Sequence, residues 1–370
     1  MNFEYSDEQR MLADSANRLG ADLWPSSDRL KLLEHFDDLT ARTAAQMAEL
    51  GWLMLPIAED DGGLGGSAVD VMAIMEGVGR HLIPTSYVAN AVLVPALVSG
   101  DPAAADLLAA IGEGSAKAAA GLLEPDGGYD LGWVECAATG SGADWTLTGE
   151  KLHVEDGADA DWFVVTAKTD AGISLFLVRA DAPGLTVSRF RAIDQHRHAR
   201  LKLDGVTVVL IGEAGAALPR VELAVDKAIC AHLAEAVGSM EAAHAATLEY
   251  LRTRKQFGVA IGSFQSLQHR AVDMAIALEE ARSMSYRATL SLSLSLPAAE
   301  RRRVVSAAKA RVGQCGLYVG RQAVQLHGGV GFSDELIISH HLKRQMMLDC
   351  AYGSSEHHVA RFVAPQVLGA

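Results

Sequence analysis

Cysteine is scarce in this sequence. Four occur, at positions 136, 230, 315 and 350. None forms a CxxC pair, so the thiols are expected to be reduced and the compartment cytoplasmic. Aromatic residues supply only 6% of the chain, and alanine and leucine, both good helix formers, take their place. Positive charge is in deficit: 32 Lys and Arg stand against 46 Asp and Glu, a net charge of −14. That excess of acid speaks against nucleic acid, which is held by clustered cations that neutralise phosphates. The one basic run, Arg301-Arg302-Arg303, is short, opens a helical stretch and reads as a solvated helix face. Long apolar runs are missing too. The longest, around Val88 to Val98, falls short of the roughly 20 residues a membrane span needs. The start, MNFEYSDEQR, is acidic and has no signal-peptide pattern. No membrane insertion is expected.

What is present is an ordinary folded composition, 49% hydrophobic and 21% charged over 370 residues, enough for two or three domains. Residues 1–116 carry apolar positions at three- and four-residue spacings, as in DEQRMLADSANRL and TARTAAQMAELGWLML, and predict helices. The glycine-rich EDDGGLGG that follows them lacks a GK[ST] and follows no strand, so it reads as an interhelix loop, with Ser67 a candidate cap for the next helix. Residues 117–215 change character. DWTLTGEKLHV, DWFVVTAKT, GISLFLVRA, GLTVSRF and ARLKLDGVTVVLI are short Val-, Thr- and Leu-rich runs between turns, and predict a small β-sandwich or barrel. From 216 to 370 long helices return. Leu267, Ala271, Met274, Leu278 and Ala281 mark one face of a helix, and Gly328 and Gly329 end the helix after it. The fold class is α+β: an N-terminal helical domain, a central β domain and a C-terminal four-helix bundle.

Two stretches are specific. RTRKQFGVAIGSFQSLQ, residues 252–268, and QLHGGVGFSDE, residues 325–335, resemble the R-x-x-F-G…F-Q-x-x-Q and Q-x-x-G-G-x-G-[FY] signatures of the acyl-CoA dehydrogenase family. ELGWLMLPIAEDDGGLGG is similar to that family's first-domain loop, and LEPDGGYD to a worn T-E-P-x-x-G-S-D. The resemblance runs from about residue 5 to 363 and implies FAD as cofactor, an acyl-CoA as substrate and an electron acceptor. It implies a reaction in which a carboxylate removes the α-proton while the β-hydrogen leaves as hydride to the flavin. It also implies tetramers in which each FAD spans two subunits.

Carried over by position, the resemblance assigns Arg254 to the FAD diphosphate, as suits a guanidinium fork. Phe257, Phe264 and Gln265 fall beside it, and Gln325 and Gly329 near the ADP moiety. Ser354 and Glu356 fall in a loop by the FAD; Glu356 reads equally as a first-turn carboxylate. The flavin-ring half departs from the pattern. Leu123 replaces the threonine of T-E-P, Tyr129 the serine of G-S-D, and His153-Val154-Glu155-Asp156-Gly157 the W-[IV]-[ST]-[NG]-[GA] strand. In LDCAYGSSEHHVARF, residues 348–362, Tyr352 occupies the position of the family's base, and Ala228 the alternative position on an earlier helix. A phenol is a poor proton acceptor at neutral pH. Adjacent histidines (340–341, 357–358) cannot chelate as i, i+4 pairs do, and no G-x-S-x-G elbow supports a hydrolase.

The expectation is a subunit of a heterotetrameric acyl-CoA dehydrogenase that lends its ADP-end arm to an FAD seated on a homologous chain. PTSY at 84–87 resembles a branch acting on bulky, steroid-type side chains. The alternatives are a homotetramer with an unrecognised base, Asp226 or Glu155, an oxidase or monooxygenase of this fold, and a flavin-free binding module.

Overall fold

The structure, a computed structural model, describes residues 4–142 and 144–367. In chain order it contains helices α1 (Asp7–Leu23), α2 (Arg29–Glu34), α3 (Phe36–Glu49), α4 (Ala68–His81), α5 (Val94–Val98) and α6 (Ala105–Gly112). Strands follow: β1 (Ala118–Gly121), β2 (Ala137–Ser141), β3 (Asp144–Val154), β4 (Trp162–Thr169), β5 (Gly172–Arg179), β6 (Leu185–Arg191) and β7 (Arg197–Ile211). Then come α7 (Leu218–Thr253), the short strands β8 (Lys255–Gln256) and β9 (Val259–Ala260), α8 (Gln265–Ser293), α9 (Ala298–His327), α10 (Ile337–Cys350) and α11 (Ser355–Val367). The chain divides into two compact units, Met1–Thr43 with Ala68–Pro84 and Ile229–Ala370, and Ala44–Ser67 with Thr85–Ala228.

The first unit is helical. Its opening helix starts at a capping box, in which the Gln9 amide donates to Ser6 Oγ at 3.2 Å and Gln9 Oε1 accepts from the Ser6 amide at 3.0 Å. Two glycines let α4 and α7 meet backbone to backbone. A Cβ on Gly79 would lie 1.9 Å from the Glu235 carbonyl oxygen, and one on Gly238 1.9 Å from that of Glu76. On α8 the expected face is buried at Ala271, Met274, Leu278 and Ala281. The next helix, α9, ends at His327, where Gly328 takes φ +66°.

The second unit is built on a closed ring of strands. β2 pairs β3, β3 pairs β7, β7 pairs β5, β5 pairs β4, and β4 returns to β2 through Ala137 and Lys168. β1 lies parallel beside β4, and β6 antiparallel on β7. Leu147, Val154, Phe163, Val165, Phe176, Val178, Leu201 and Leu203 fill the interior. Of the two options left open by the sequence, the barrel is the one found. The apolar run at 88–98 forms a π turn (Val88–Leu93) and α5, largely buried in this unit. Among the described residues no helix is long and apolar enough to cross a membrane.

Candidate active site and cofactor arm

The arm lies at the end of α7 and the start of α8. β8 and β9 form a minimal hairpin whose tip is Phe257, at φ +54° and 90% exposed. Taken alone, a phenylalanine would more often be a core residue; this one stands in solvent. Its ring meets that of Phe264 edge-on, centroids 6.1 Å apart, and Phe264 is itself 37% exposed. Arg254 is exposed, makes no ion pair among the described residues, and accepts from the Ile261 amide through its carbonyl. Gln265 begins α8 and is exposed. Gln325 sits exposed on the last turn of α9. Gly329 is open on the side a Cβ would take, with nothing within 4 Å. Phe332, which sequence reasoning passed over, follows it and is 79% exposed. Exposed rings beside an unpaired guanidinium cost free energy in water and gain by being covered with a planar, anionic ligand.

The stretch at 348–362 is organised by α10 and α11. Lys309, buried on α9, donates through Nζ to the carbonyls of Leu348 (2.6 Å) and Asp349 (2.8 Å), closing the C-terminal end of α10. Ser355 Oγ donates to Asp349 Oδ1 at 2.5 Å. Ser354 caps α11, its Oγ accepting from the His357 amide at 3.3 Å. Glu356 is held below the usual carboxylate range by the helix-end amide and the Ser354 hydroxyl. Ser354 thus stands at the cap of α11 and Glu356 in its first turn. His358 Nε2 donates to the Tyr352 carbonyl at 3.0 Å, and Nδ1 faces Ser306 Oγ at 3.4 Å. Burial pushes His358 down to about 3, so it is neutral and both contacts are open to it. The described residues contain no group of three or more metal-ligating side chains.

Tyr352 is half-buried at φ +54°, and its ring lies near-parallel to that of His232, centroids 5.9 Å apart at 25°. His232 Nδ1 is 3.4 Å from Glu235 Oε2. Arg344 grips Glu235 with both arms of its fork, Nε to Oε1 at 2.6 Å and Nη2 to Oε2 at 2.8 Å. Burial opposes the Glu235 charge, yet Arg344 and His232 prevail and hold it at about 2. Sequence reasoning missed this trio; the signal was three charged or titratable residues at apolar-face positions of α7 and α10. Ala228 and Asp226 are both fully buried on α7.

In the barrel unit, Glu124 is drawn inward. Its carboxylate accepts from Lys151 Nζ at 2.6 Å and from the amides of Glu135 (2.6 Å) and Cys136 (3.1 Å). Lys151 also donates to Thr166 Oγ1 at 2.8 Å. The strand expected to face a flavin ring is irregular. Its pairing with β7 slips between Lys151 and Val154, His153 and Asp156 take φ of +49° and +51°, and Glu155 is buried. His196 Nδ1 lies 3.3 Å from Asp156 Oδ1.

Three family models match in order: acyl-CoA dehydrogenase N-terminal domain at residues 6–103, middle domain at 119–206 and C-terminal domain at 224–365. The chain belongs to the acyl-CoA dehydrogenase family. A probable acyl-CoA dehydrogenase, YngJ of Bacillus subtilis, is 28% identical over 96% of this chain and 97% of its own. A variant of the Tcur3481-Tcur3483 steroid ACAD is 27% identical, with a TM-score of 0.88 over 98% of each chain. The FAD complex of PigA shares the fold, at 24% identity and a TM-score of 0.90 over both full chains. The acyl-CoA dehydrogenase chain is thus a member of an FAD-dependent oxidoreductase family with the expected helical, β-barrel and helical-bundle parts. Tested against FAD, its two halves disagree. The arm offers exposed rings and an unpaired guanidinium, groups that suit a planar, anionic ligand. The barrel residues do not fit a flavin ring, because a buried carboxylate and a bulged strand stand where a hydroxyl and an indole are expected.

Proposed function

We propose that this acyl-CoA dehydrogenase chain works as one subunit of a hetero-oligomer. Its arm, Arg254, Phe257, Phe264, Gln265, Gln325 and Gly329, holds the ADP end of an FAD whose ring and catalytic carboxylate belong to a homologous partner chain; Ser354 and Glu356 stand at the start of α11, in the loop the family places by an FAD. The complex desaturates the Cα–Cβ bond of an acyl-CoA and passes electrons to an external acceptor. One contrast supports this reading: Phe257 stands 90% exposed on the arm, whereas a tyrosine packed on a histidine fills the base position. Likeness to the Tcur3481-Tcur3483 steroid ACAD favours a bulky, steroid-type acyl group.

Expressed alone, the chain should carry little flavin, read as absorbance near 450 nm, and should show no turnover. Co-expressed with a homologous chain bearing the family glutamate, it should give a yellow, active complex. A stoichiometrically yellow and active homomer would overturn the partner reading. In the complex, Arg254→Ala should weaken FAD retention by about tenfold or more, the scale of one lost charge-assisted hydrogen bond. Unchanged FAD content after dialysis would remove the arm's role.

A further inference from the structure

Resting on the reading that the chain has no base of its own, we propose that Tyr352 closes the chain's own base position, with His232 as the positioning residue that seats its ring. A left-handed backbone at a tyrosine is strained and persists only where surroundings fix it. Here two contacts from different elements do so. His358 on α11 holds the Tyr352 carbonyl at 3.0 Å, and His232 on α7 backs the ring. His232 cannot swing away. It is 1% exposed, its Nδ1 faces Glu235, and Glu235 is clamped by Arg344 of α10 through two bonds. Gln345 ties the same two helices once more, its Nε2 donating to the Ala236 carbonyl at 2.9 Å.

The two rings are near-parallel, and a phenol is in any case a poor proton acceptor at neutral pH. His232 is also too buried to meet a substrate itself. Tyr352 therefore acts by occupying space. A base must come within about 2.6–3.2 Å of the proton it removes, directly or through one water. A phenol ring pinned at that position leaves an acyl α-carbon no such approach. Replacing only the tyrosine by glutamate would leave His232, and the Arg344-clamped Glu235 beside it, in place. The loss of the base is then a packed closure that one substitution does not reverse.

The test is hexanoyl-CoA binding to the full chain expressed alone, followed by calorimetry, which needs neither flavin nor partner. The parent chain and Tyr352→Glu should show no binding. Tyr352→Ala combined with His232→Val should bind at least about tenfold more tightly than the parent. His232→Phe, which restores a ring behind Tyr352, should stay closed, whereas His232→Val should open; a merely structural role would not separate these two. Binding of one hexanoyl-CoA per parent chain would overturn the closure. So would equal behaviour of His232→Phe and His232→Val, or silence of the double variant in a folded chain. A yellow homomer would instead strike the partner reading, so the two failures are distinct.

Discussion

Replacing Lys151 by methionine is expected to cost about 3–5 kcal/mol of stability, a large share of what a domain possesses. Lys151 has no exposed surface, and it neutralises a Glu124 carboxylate that is itself buried in the barrel unit. Burial alone lowers the lysine's pKa, and the Glu124 charge opposes that shift. With the ammonium gone, the carboxylate keeps its bonds to the Glu135 and Cys136 amides but loses its counter-charge in a poorly solvated site. The matching control is Lys151→Met with Glu124→Gln. A neutral amide still accepts from those two N–H groups, so the double variant should recover half or more of the loss. Removing the acceptor altogether, as in Glu124→Leu, should do worse, because the buried Cys136 amide would go unbonded at about 1–3 kcal/mol and Lys151 would lose its counter-charge. Urea midpoints followed by tryptophan fluorescence provide the measurement. A Lys151→Met loss within about 0.5 kcal/mol would show that the pair is not a structural anchor.

Acid should unfold the helical unit earlier than its carboxylates alone would allow. His341 and His358 are both pushed down to about 3 by burial, with nearby cations adding to it. Arg29, His340 and His81 act on His341; Lys309, Arg361 and His357 act on His358, against the Tyr352 carbonyl. In the unfolded chain each titrates near pH 6.5. Between about 6.5 and 3 the unfolded state therefore binds more protons, and stability falls as the pH falls. It is fully present above 6.5, and each histidine contributes a slope of up to about 1.4 kcal/mol per pH unit inside the window. His81, His327 and His340 are lowered in the same direction. Glu235, at about 2, adds its own loss only below the ordinary glutamate range, so the interval from pH 6.5 to 5 isolates the histidines. Denaturant midpoints at pH 7.5, 6.5 and 5.5 should fall in that order. The slope should flatten in a His341→Gln, His358→Gln double variant. A stability independent of pH from 7.5 to 5.5 would mean that these imidazoles are not buried in solution.

Much of the architecture was legible because local pattern and burial agreed. Five strand runs, β3 to β7, lie within two residues of their sequence limits, and the helical stretch read as ending at Gly328 is α9 from Ala298 to His327. Alternation of Val, Thr and Leu, and apolar spacing at three and four, are short-range signals that the packed core then enforces. β1 and β2 escaped notice because AAAG and AATGS have no β-branched alternation beyond one threonine. Their strand geometry comes from neighbours: β1 borrows the edge of β4, and β2 is the staple that closes the barrel.

Motif spacing alone determined the family, the order of helical, barrel and helical parts, and the departure at Tyr352, Ala228 and Glu155 from the residue types a flavin dehydrogenase uses. Side-chain identity at a fixed offset carries that information without coordinates. Tertiary structure decided which way each group faces. Phe257 went into solvent, Glu124 went inward to Lys151, and His232, Glu235 and Arg344, scattered over more than a hundred positions, met behind Tyr352. Exposure and ion pairing are set by what packs against a residue from distant parts of the chain, and no local pattern encodes that.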